Sequence, residues 1–263
     1  MTAEIPASGR LNGRVAIVTG AGRGLGKAIA LAYARQGASV ALAARSDREI
    51  AAAAAEIEDG GGTVLPVVAD VCREQDVERL VSATLERFGR VDILFNAAGQ
   101  RAVMPSEELP LADWQRVLEA NLTSSFLCSQ CVFAPMRAAG YGKIIMMGSM
   151  QAHSGAPYRA AYAASKTGLI GLARALGVEW AKYGINVNAL SPGYIATEMV
   201  LHQIEIGQLD LKAIERRTPM GRIGTVDDVT SAAVFLAADD SNFMCGQSLI
   251  IDGGWMANGF LTM

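Results

Sequence analysis

Histidine, cysteine and aromatic residues are scarce in this sequence of 263 residues. Two histidines argue against a histidine-based metal centre, and four cysteines are too few for a disulfide-stabilised scaffold. A CxxC spacing has no second cysteine or histidine pair to complete a zinc site, so packing inside a helix is favoured over redox or metal chemistry. We therefore expect a cytoplasmic protein whose cysteines are free thiols: Cys72, Cys128, Cys131 and Cys245.

An excess of charge of one sign and long apolar runs are also missing. Lys and Arg number 23 against 26 Asp and Glu, a balance that argues against nucleic-acid binding and favours a small-molecule substrate. No apolar run approaches the roughly 18 residues that cross a bilayer, so no membrane partner is expected. The segment Met1 to Arg14 lacks the basic start and apolar stretch of a secretory signal.

What the sequence does contain is an alternation of short apolar runs with longer amphipathic stretches. The short runs are continuous, as in parallel strands buried on both faces. Strands are predicted at Val15–Thr19, Ser39–Ala43, Thr63–Val68, Ile93–Asn96, Lys143–Met147, Asn186–Leu190 and Ser248–Ile251. Helices are predicted to begin near Leu25, Arg48, Glu74, Ala112, Ala161 and Asp227. This order predicts one α/β domain with a doubly wound, parallel, seven-stranded sheet that binds ligands beyond the carboxyl ends of its strands.

The predicted domain covers residues 14–263, and residues 1–13 form a short N-terminal tail. One segment, about residues 195–222, has no apparent strand and is longer than an ordinary connection. Such segments are usually lids or ligand-binding loops, so we expect this one to contact the substrate.

A glycine-rich turn follows the first predicted strand. The run from Thr19 to Gly26 reads TGAGRGLG and leads directly into a helical sequence. Glycines let the backbone approach a diphosphate, and the helix amino terminus carries about half a positive charge. The alternative is a tight connection without a ligand, but the strand and helix on either side favour a dinucleotide cradle.

Tyr162 and Lys166 lie one helical turn apart and are predicted to share a helix face. A positive charge about 5 Å from a phenol favours phenolate by roughly 3 kcal/mol at an effective dielectric of about 20. That corresponds to about 2 pKa units and predicts that the pKa of Tyr162 falls from about 10 to about 8. Such a group can give or take a proton at neutral pH, whereas the alternative is ordinary helix decoration.

Ser149 follows a strand, and Asn121 lies in a long helical pattern. With the TGxxxGxG turn, the order Asn121, Ser149, Tyr162 and Lys166 resembles the catalytic tetrad of the short-chain dehydrogenase/reductase family. The resemblance extends from Arg14 to about Trp255. It implies a Rossmann-type fold and an NAD(P)-dependent oxidoreductase that interconverts a secondary alcohol and a ketone.

The resemblance also implies roles for individual residues. Tyr162 is the general acid or base, and Lys166 lowers its pKa and binds the nicotinamide ribose. Ser149 is expected to hydrogen-bond the substrate oxygen. Asn121 is expected to hold a water in a proton relay to Lys166; the alternative for an asparagine in a helix is a local backbone bond.

Further family motifs occur in order along the chain. Asp70 and Val71 resemble the adenine contact, although Asp70 could instead cap the next helix. The run NAAG resembles the family's NNAG, with Ala97 in place of the second Asn. The full expected cofactor-binding set is Gly20, Arg23, Gly24, Leu25, Gly26, Arg45, Asp70, Val71, Asn96, Ala97, Gly99, Tyr162, Lys166, Pro192, Gly193, Ile195 and Thr197.

The end of the second strand should decide between NAD and NADP. In NAD-binding folds an acidic residue at this position binds the ribose 2′-hydroxyl, but here the position is Ala44. Arg45 follows it, and Arg23 lies in the glycine turn. Two guanidinium groups suit the 2′-phosphate of NADP. NADP is therefore expected, with NAD as the alternative because Asp47 is nearby.

The substrate and the rival functions stay open at this level. Polar residues flank the expected site and favour a hydroxylated or carboxylated substrate: Gln100, Arg101, His153, Tyr158, Arg159 and His202. Candidates include a sugar acid, a polyol and a 3-oxoacyl compound. The alternative function is a non-catalytic dinucleotide-binding sensor of the same fold. An enoyl reductase would have a longer Tyr-to-Lys spacing. The resemblance finally implies a homotetramer.

Overall fold

The computed structural model describes residues 9–259. The elements alternate as the sequence predicts, and all strands are parallel. The strands are β1 (Val15–Thr19), β2 (Ser39–Ala44), β3 (Thr63–Val68), β4 (Ile93–Asn96), β5 (Gly142–Met147), β6 (Ile185–Pro192) and β7 (Ser248–Ile251). Their order, β3-β2-β1-β4-β5-β6-β7, confirms the Rossmann-type doubly wound sheet.

Helices cover both faces of the sheet. They are α1 (Gly24–Arg35), α2 (Asp47–Asp59), α3 (Glu74–Phe88), α4 (Leu111–Leu118), α5 (Ser124–Ala139), α6 (Ala160–Trp180), α7 (Glu198–Glu205), α8 (Leu211–Arg217) and α9 (Val226–Ala237). Side chains of β1 alternate between two cores: Ala16 and Val18 join one with α1, α2 and α9, and Ile17 joins the other with α3, α5 and α6. This double burial explains the continuous apolar runs of the strands.

Three features differ from the simple sequence pattern. The helix predicted from Ala112 is divided by a π-helical segment, Glu119–Thr123, between α4 and α5. The segment predicted as a loop, residues 195–222, contains α7 and α8. Leu11 is fully buried and its N–H donates to the carbonyl of Gln36, so packing begins ahead of the predicted boundary at Arg14. The tail's first eight residues and the last four residues of the chain lie outside the described part.

No helix within residues 9–259 is both long and apolar enough to cross a bilayer.

Candidate active site

The glycine turn lies beside the carboxyl ends of β1 and β4, where the strand order changes direction. The Thr19 hydroxyl accepts backbone N–H bonds from Ala97 at 3.1 Å and Ala98 at 3.2 Å, which joins the two strand ends. Gly20 has φ +64°, and a Cβ there would lie 2.8 Å from the backbone of Ala98. A Cβ on Gly26 would lie 2.2 Å from the Gly20 carbonyl oxygen. Close backbone contacts therefore require glycine at both positions.

The amino terminus of α1 has the properties of an anion site. Arg23 occupies the N-cap without a side-chain capping bond, and the first turn contains no acid that would offset the helix dipole. Gly24 has φ +58°, and nothing lies within 4 Å of the position of a Cβ. Helix amino-terminal N–H groups beside open space suit a diphosphate, the group that the sequence analysis expects to bind here.

The two arginines predicted to bind a 2′-phosphate are both exposed, and a carboxylate accompanies one of them. Nη1 of Arg23 lies 3.9 Å from Oε1 of Glu49. A Cβ on Gly22 would lie 3.0 Å from Oε2 of Glu49 and 3.4 Å from Cβ of Ala44. Glu49 is not among the residues predicted from the sequence, where Asp47 is the acid near this position. Ser46 caps α2 by accepting the Glu49 N–H at 3.3 Å, but this local bond does not reveal the contact of the Glu49 carboxylate with Arg23, which lies in another loop.

The predicted adenine and NNAG-like residues follow β3 and β4. Oδ1 of Asp70 accepts the Cys72 N–H at 3.2 Å, and the N-cap of α3 is Arg73, so Asp70 holds a turn and does not cap that helix. Val71 is buried. Asn96 is also buried, and its Oδ1 has no hydrogen-bond partner among the described residues.

Ser149, Tyr162 and Lys166 come together at the carboxyl end of β5. Ser149 directly follows that strand, and Tyr162 and Lys166 lie in the first two turns of α6. Nζ of Lys166 donates to the carbonyl of Met147 at 2.6 Å and lies 5.6 Å from the centre of the Tyr162 ring. The Ser149 hydroxyl lies beside the phenol, and this polar contact favours the phenolate. The structure thus brings together three of the four predicted catalytic side chains.

The Tyr162 pKa expected from the sequence, near about 8, is wrong for this structure. Burial of the phenol raises its pKa above the ordinary value, and this effect outweighs Ser149, Arg101 and Arg159, which lower it. Burial also lowers the pKa of Lys166 to about 8, so the ammonium is only partly charged in mildly alkaline solution. A pKa of about 8 would require a fully charged lysine and a solvated phenol. At neutral pH Tyr162 is therefore protonated.

Asn121, the fourth predicted catalytic residue, lies in the π-helical segment and is fully buried. Its Oδ1 accepts the Gln100 N–H at 2.6 Å, and its Nδ2 donates to the Gln100 carbonyl at 2.9 Å and to the Ser165 hydroxyl at 2.8 Å. These partners are distant in sequence, so the alternative of a local backbone bond is wrong. A Cβ on Gly99 would lie 3.0 Å from Oδ1 of Asn121 and 3.7 Å from Nζ of Lys166, which places the two side chains on one side of Gly99.

The segment after β6 carries the last of the predicted cofactor-binding residues. Pro192 ends the strand, and a Cβ on Gly193 would lie 2.9 Å from Cα of Asp252. Ile195 is buried, and Thr197 caps α7 by accepting the Val200 N–H at 3.4 Å. The rings of Tyr194 and Trp255 pack edge to face at 5.2 Å between centroids.

The two histidines have protein partners. His153 is exposed and its Nε2 lies 3.0 Å from the Ser248 hydroxyl. His202 lies on the exposed face of α7, with Nδ1 3.6 Å from a Glu205 carboxylate oxygen. Neither contact involves Ser149, Tyr162 or Lys166. The Ser248 contact is consistent with His153 as an ordinary loop histidine that does not bind substrate.

The CxxC pair is poorly suited to redox chemistry. Cys128 is buried in α5, where burial raises the pKa of its thiol to about 12. Burial also raises the pKa of Cys131. Reactive thiols need a lowered pKa, so both side chains act as small packing groups.

Comparison with known proteins gives matches along nearly the whole chain. A family profile described as enoyl-(acyl carrier protein) reductase matches residues 20–256. D-threitol dehydrogenase of Mycolicibacterium smegmatis is 39% identical over 246 residues, which cover 94% of each protein. NAD-dependent glycerol dehydrogenase of Listeria innocua is 36% identical over 242 residues, or 92% of this chain and 93% of that protein.

A solved relative shares the architecture as well. The crystal structure of a gluconate 5-dehydrogenase from Burkholderia cenocepacia, in complex with NADP and tartrate, is 36% identical with a TM-score of 0.90. The match covers 95% of this chain and 97% of that one. A profile match over most of the sequence, relatives above 30% identity along nearly their full length, and the shared fold establish that this chain belongs to the short-chain dehydrogenase/reductase family.

Proposed function

We propose that this protein is an NAD(P)-dependent oxidoreductase that interconverts a secondary alcohol and a ketone. The observation that carries the proposal is the convergence of Ser149, Tyr162 and Lys166 at the same sheet edge as the glycine turn. A dinucleotide-binding sensor would not need a phenol, a serine hydroxyl and a lysine side by side. Reduction of NAD or NADP in the presence of sugar acids, polyols and 3-hydroxyacyl thioesters tests the proposal, and absence of turnover with all three classes would contradict it.

The residues divide the chemistry in a simple way. The bound dinucleotide supplies or accepts the hydride. Tyr162 handles the proton, and because it is protonated at neutral pH it can donate to a carbonyl oxygen without prior ionisation. Ser149 is placed to hydrogen-bond the same oxygen as negative charge develops there. Lys166 is anchored on the Met147 carbonyl and contributes charge beside the ring, and Asn121 keeps the Gln100 backbone and Ser165 in place.

Among the substrate classes, a polyol or sugar acid is favoured. Relatives named for D-threitol, glycerol and gluconate act on compounds of this type. Enoyl reduction, which the description of the family profile names, is disfavoured because the spacing between Tyr162 and Lys166 is the short one of the simple dehydrogenase branch.

We also propose a preference for NADP, based on Arg45 and Arg23 beside Ala44. The gluconate 5-dehydrogenase was solved with NADP, whereas the glycerol dehydrogenase is NAD-dependent, so the relatives do not decide the question. Glu49 opposes the preference, because its carboxylate contacts Arg23 and would repel a 2′-phosphate.

The expected result is that Arg45→Ala weakens NADP binding by about tenfold to hundredfold and leaves NAD binding nearly unchanged, since a charge-assisted contact contributes roughly 1.5 to 3 kcal/mol. Glu49→Gln should strengthen NADP binding, and Ala44→Asp should shift preference toward NAD. Arg48→Ala removes one positive charge from the first turn of α2, three residues after Arg45, and serves as the control. Titration of both dinucleotides against each variant gives the answer, and equal loss of NAD and NADP in Arg45→Ala would contradict the proposal.

The homotetramer expected from the family stays a proposal, supported by an apolar groove between α5 and α6. Leu122, Phe126 and Leu172 contribute to its lining. The small residues of α6 have separate roles: a Cβ on Gly168 would lie 2.8 Å from Leu122, whereas nothing lies within 4 Å of one on Gly171. Gly171→Glu should therefore dissociate the assembly without unfolding the subunit. Sedimentation velocity at micromolar concentration measures this, and a monomeric unmodified protein would refute it.

The cytoplasmic location also stays a prediction. It is supported by the four cysteines of the chain, which are all unpaired.

A further inference from the structure

We propose that Arg159 and Arg101 form a carboxylate-binding site beside Tyr162, which makes an anionic hydroxy acid or keto acid the preferred substrate. The inference rests on the proposed function and names the substrate class of the same site. Arg159 occupies the N-cap of α6, one turn before Tyr162, and its side chain makes no capping bond. Its guanidinium is thus not used to begin the helix.

The first observation is a buried donor without a partner. Nη1 of Arg159 is inaccessible to solvent and has no hydrogen-bond acceptor within residues 9–259. No ion pair with Asp or Glu is formed by Arg159 or Arg101 in the same part of the chain. An unsatisfied buried polar group destabilises a fold, and a charged one does so strongly. A ligand that supplies the acceptor would remove this cost.

The second observation is the electrostatic surroundings. The groups that act on Arg159 are Arg101, Tyr194 and Tyr162, and no carboxylate is among them. Burial and the neighbouring Arg101 both lower the pKa of Arg159, the direction expected for two like charges that lack a counter-ion. Both arginines also favour ionisation of Tyr162, so both charges act at the reacting hydroxyl.

The third observation is backbone strain between the two arginine segments. Tyr158 has φ +63° and is the one non-glycine residue with positive φ in the described chain. Its carbonyl accepts the N–H of Met104 at 3.2 Å, which ties the segment after β4 to the start of α6. A left-handed conformation at a bulky residue is unfavourable and is typically found at functional sites. Here it fixes Arg159 next to the segment that carries Arg101.

The chemistry of the ligand follows from the donors. A guanidinium presents parallel N–H groups that match the two oxygens of a carboxylate. The two arginines act on Tyr162, whereas a diphosphate is expected at the uncapped amino terminus of α1. A carboxylate on the substrate, a short carbon chain away from the reacting carbinol, would therefore satisfy Nη1 and neutralise the paired charges.

The test compares gluconate with glucitol, which carry a carboxylate and a hydroxymethyl group at the same end of one six-carbon chain. Calorimetric titration in saturating NADPH measures binding without turnover, because an alcohol and NADPH cannot react. We expect gluconate to bind at least tenfold more tightly than glucitol. Arg159→Gln and Arg101→Gln should each remove most of that advantage, a loss of about tenfold to hundredfold for gluconate with little change for glucitol. Arg137→Gln, an exposed arginine at the far end of α5, should change neither.

Thermal unfolding provides a second measurement. Without ligand, Arg159→Gln should melt no lower than the unmodified protein, since the substitution removes an unpaired buried charge. Gluconate should raise the melting temperature of the unmodified protein and not that of the variant. Equal binding of gluconate and glucitol, or gluconate binding unchanged in both variants, would overturn the inference. Turnover of neutral alcohols without a carboxylate preference would refute this inference alone. Arginine-dependent gluconate binding without turnover of any alcohol would instead refute the proposed function.

Discussion

Tyr162→Phe should lower turnover by about 10²- to 10⁴-fold while leaving dinucleotide affinity nearly unchanged. The substitution removes the phenolic proton and keeps the ring, which lies beside Ser149 and Lys166. Because the hydroxyl acts on the proton in the transition state, its loss should reduce kcat and kcat/KM together. Steady-state kinetics with the substrate found by screening, and direct titration of NADP, separate the two effects.

Tyr33→Phe is the matched control for this experiment. Tyr33 is a fully buried phenol, and its hydroxyl donates to the Ala233 carbonyl at 3.1 Å, in the core between α1 and α9. Removing that hydroxyl should reduce stability by about 1 kcal/mol through the lost hydrogen bond and leave turnover unchanged. Retained turnover in Tyr162→Phe would end its assignment as the proton donor.

Lys166→Met should damage both turnover and dinucleotide binding, because one ammonium serves the ring of Tyr162 and the proposed ribose contact. A charge-assisted hydrogen bond contributes roughly 1.5 to 3 kcal/mol, so dinucleotide affinity should fall about tenfold to hundredfold, and turnover should fall at least as far. Lys143→Met is the control: this lysine is buried at the opposite end of β5, and burial lowers its pKa to about 8 as well. Its Nζ is held by Asn186, Asn242 and Ser241, so its loss should affect stability alone.

The pH dependence of dinucleotide binding distinguishes a charge from a packing role for Lys166. Its pKa is lowered to about 8, so the group is charged below that pH and neutral above it. Attraction to the dinucleotide requires the charged form, and affinity should therefore weaken as the pH rises through about 8. This dependence should disappear in Lys166→Met and persist in Lys143→Met. An identical pH profile in all three proteins would contradict the proposed role.

The fold could be predicted closely because burial on both faces of a parallel sheet is written directly into the sequence. All five residues of β1 are buried, and its apolar run has the predicted bounds. Even β3, an edge strand with exposed positions and a proline, was predicted correctly, since Pro66 does not interrupt an apolar run and edge strands tolerate proline. The glycine turn could be identified in the sequence because close backbone contacts at Gly20 and Gly26 leave no room for a side chain and so require glycine at both positions.

The parts that could not be predicted depend on distances between segments that the sequence does not encode locally. The predicted pKa of Tyr162 was wrong because helix spacing gives the separation of Tyr162 from Lys166 but not the burial of either group. Glu49 was missed because its relevance comes from contact with Gly22 and Arg23 in another loop. Arg159 was recognisable as a polar residue near the site, but only the folded chain reveals that its Nη1 lacks an acceptor.

The π-helical segment between α4 and α5 amounts to one residue more than a regular helix would hold at that point. Deleting a residue from this segment would let regular α-helical hydrogen bonds continue from α4 into α5. The resulting continuous helix would have better backbone hydrogen-bond geometry. Each residue of an α-helix turns by about 100°, so the same deletion would rotate α4 relative to α5 and remove Asn121 from Gln100 and Ser165. Helix regularity therefore favours a shorter chain here, whereas the hydrogen bonds of Asn121 to Gln100 and Ser165 require the extra residue. A shortened variant that is more stable but less active would reveal that conflict.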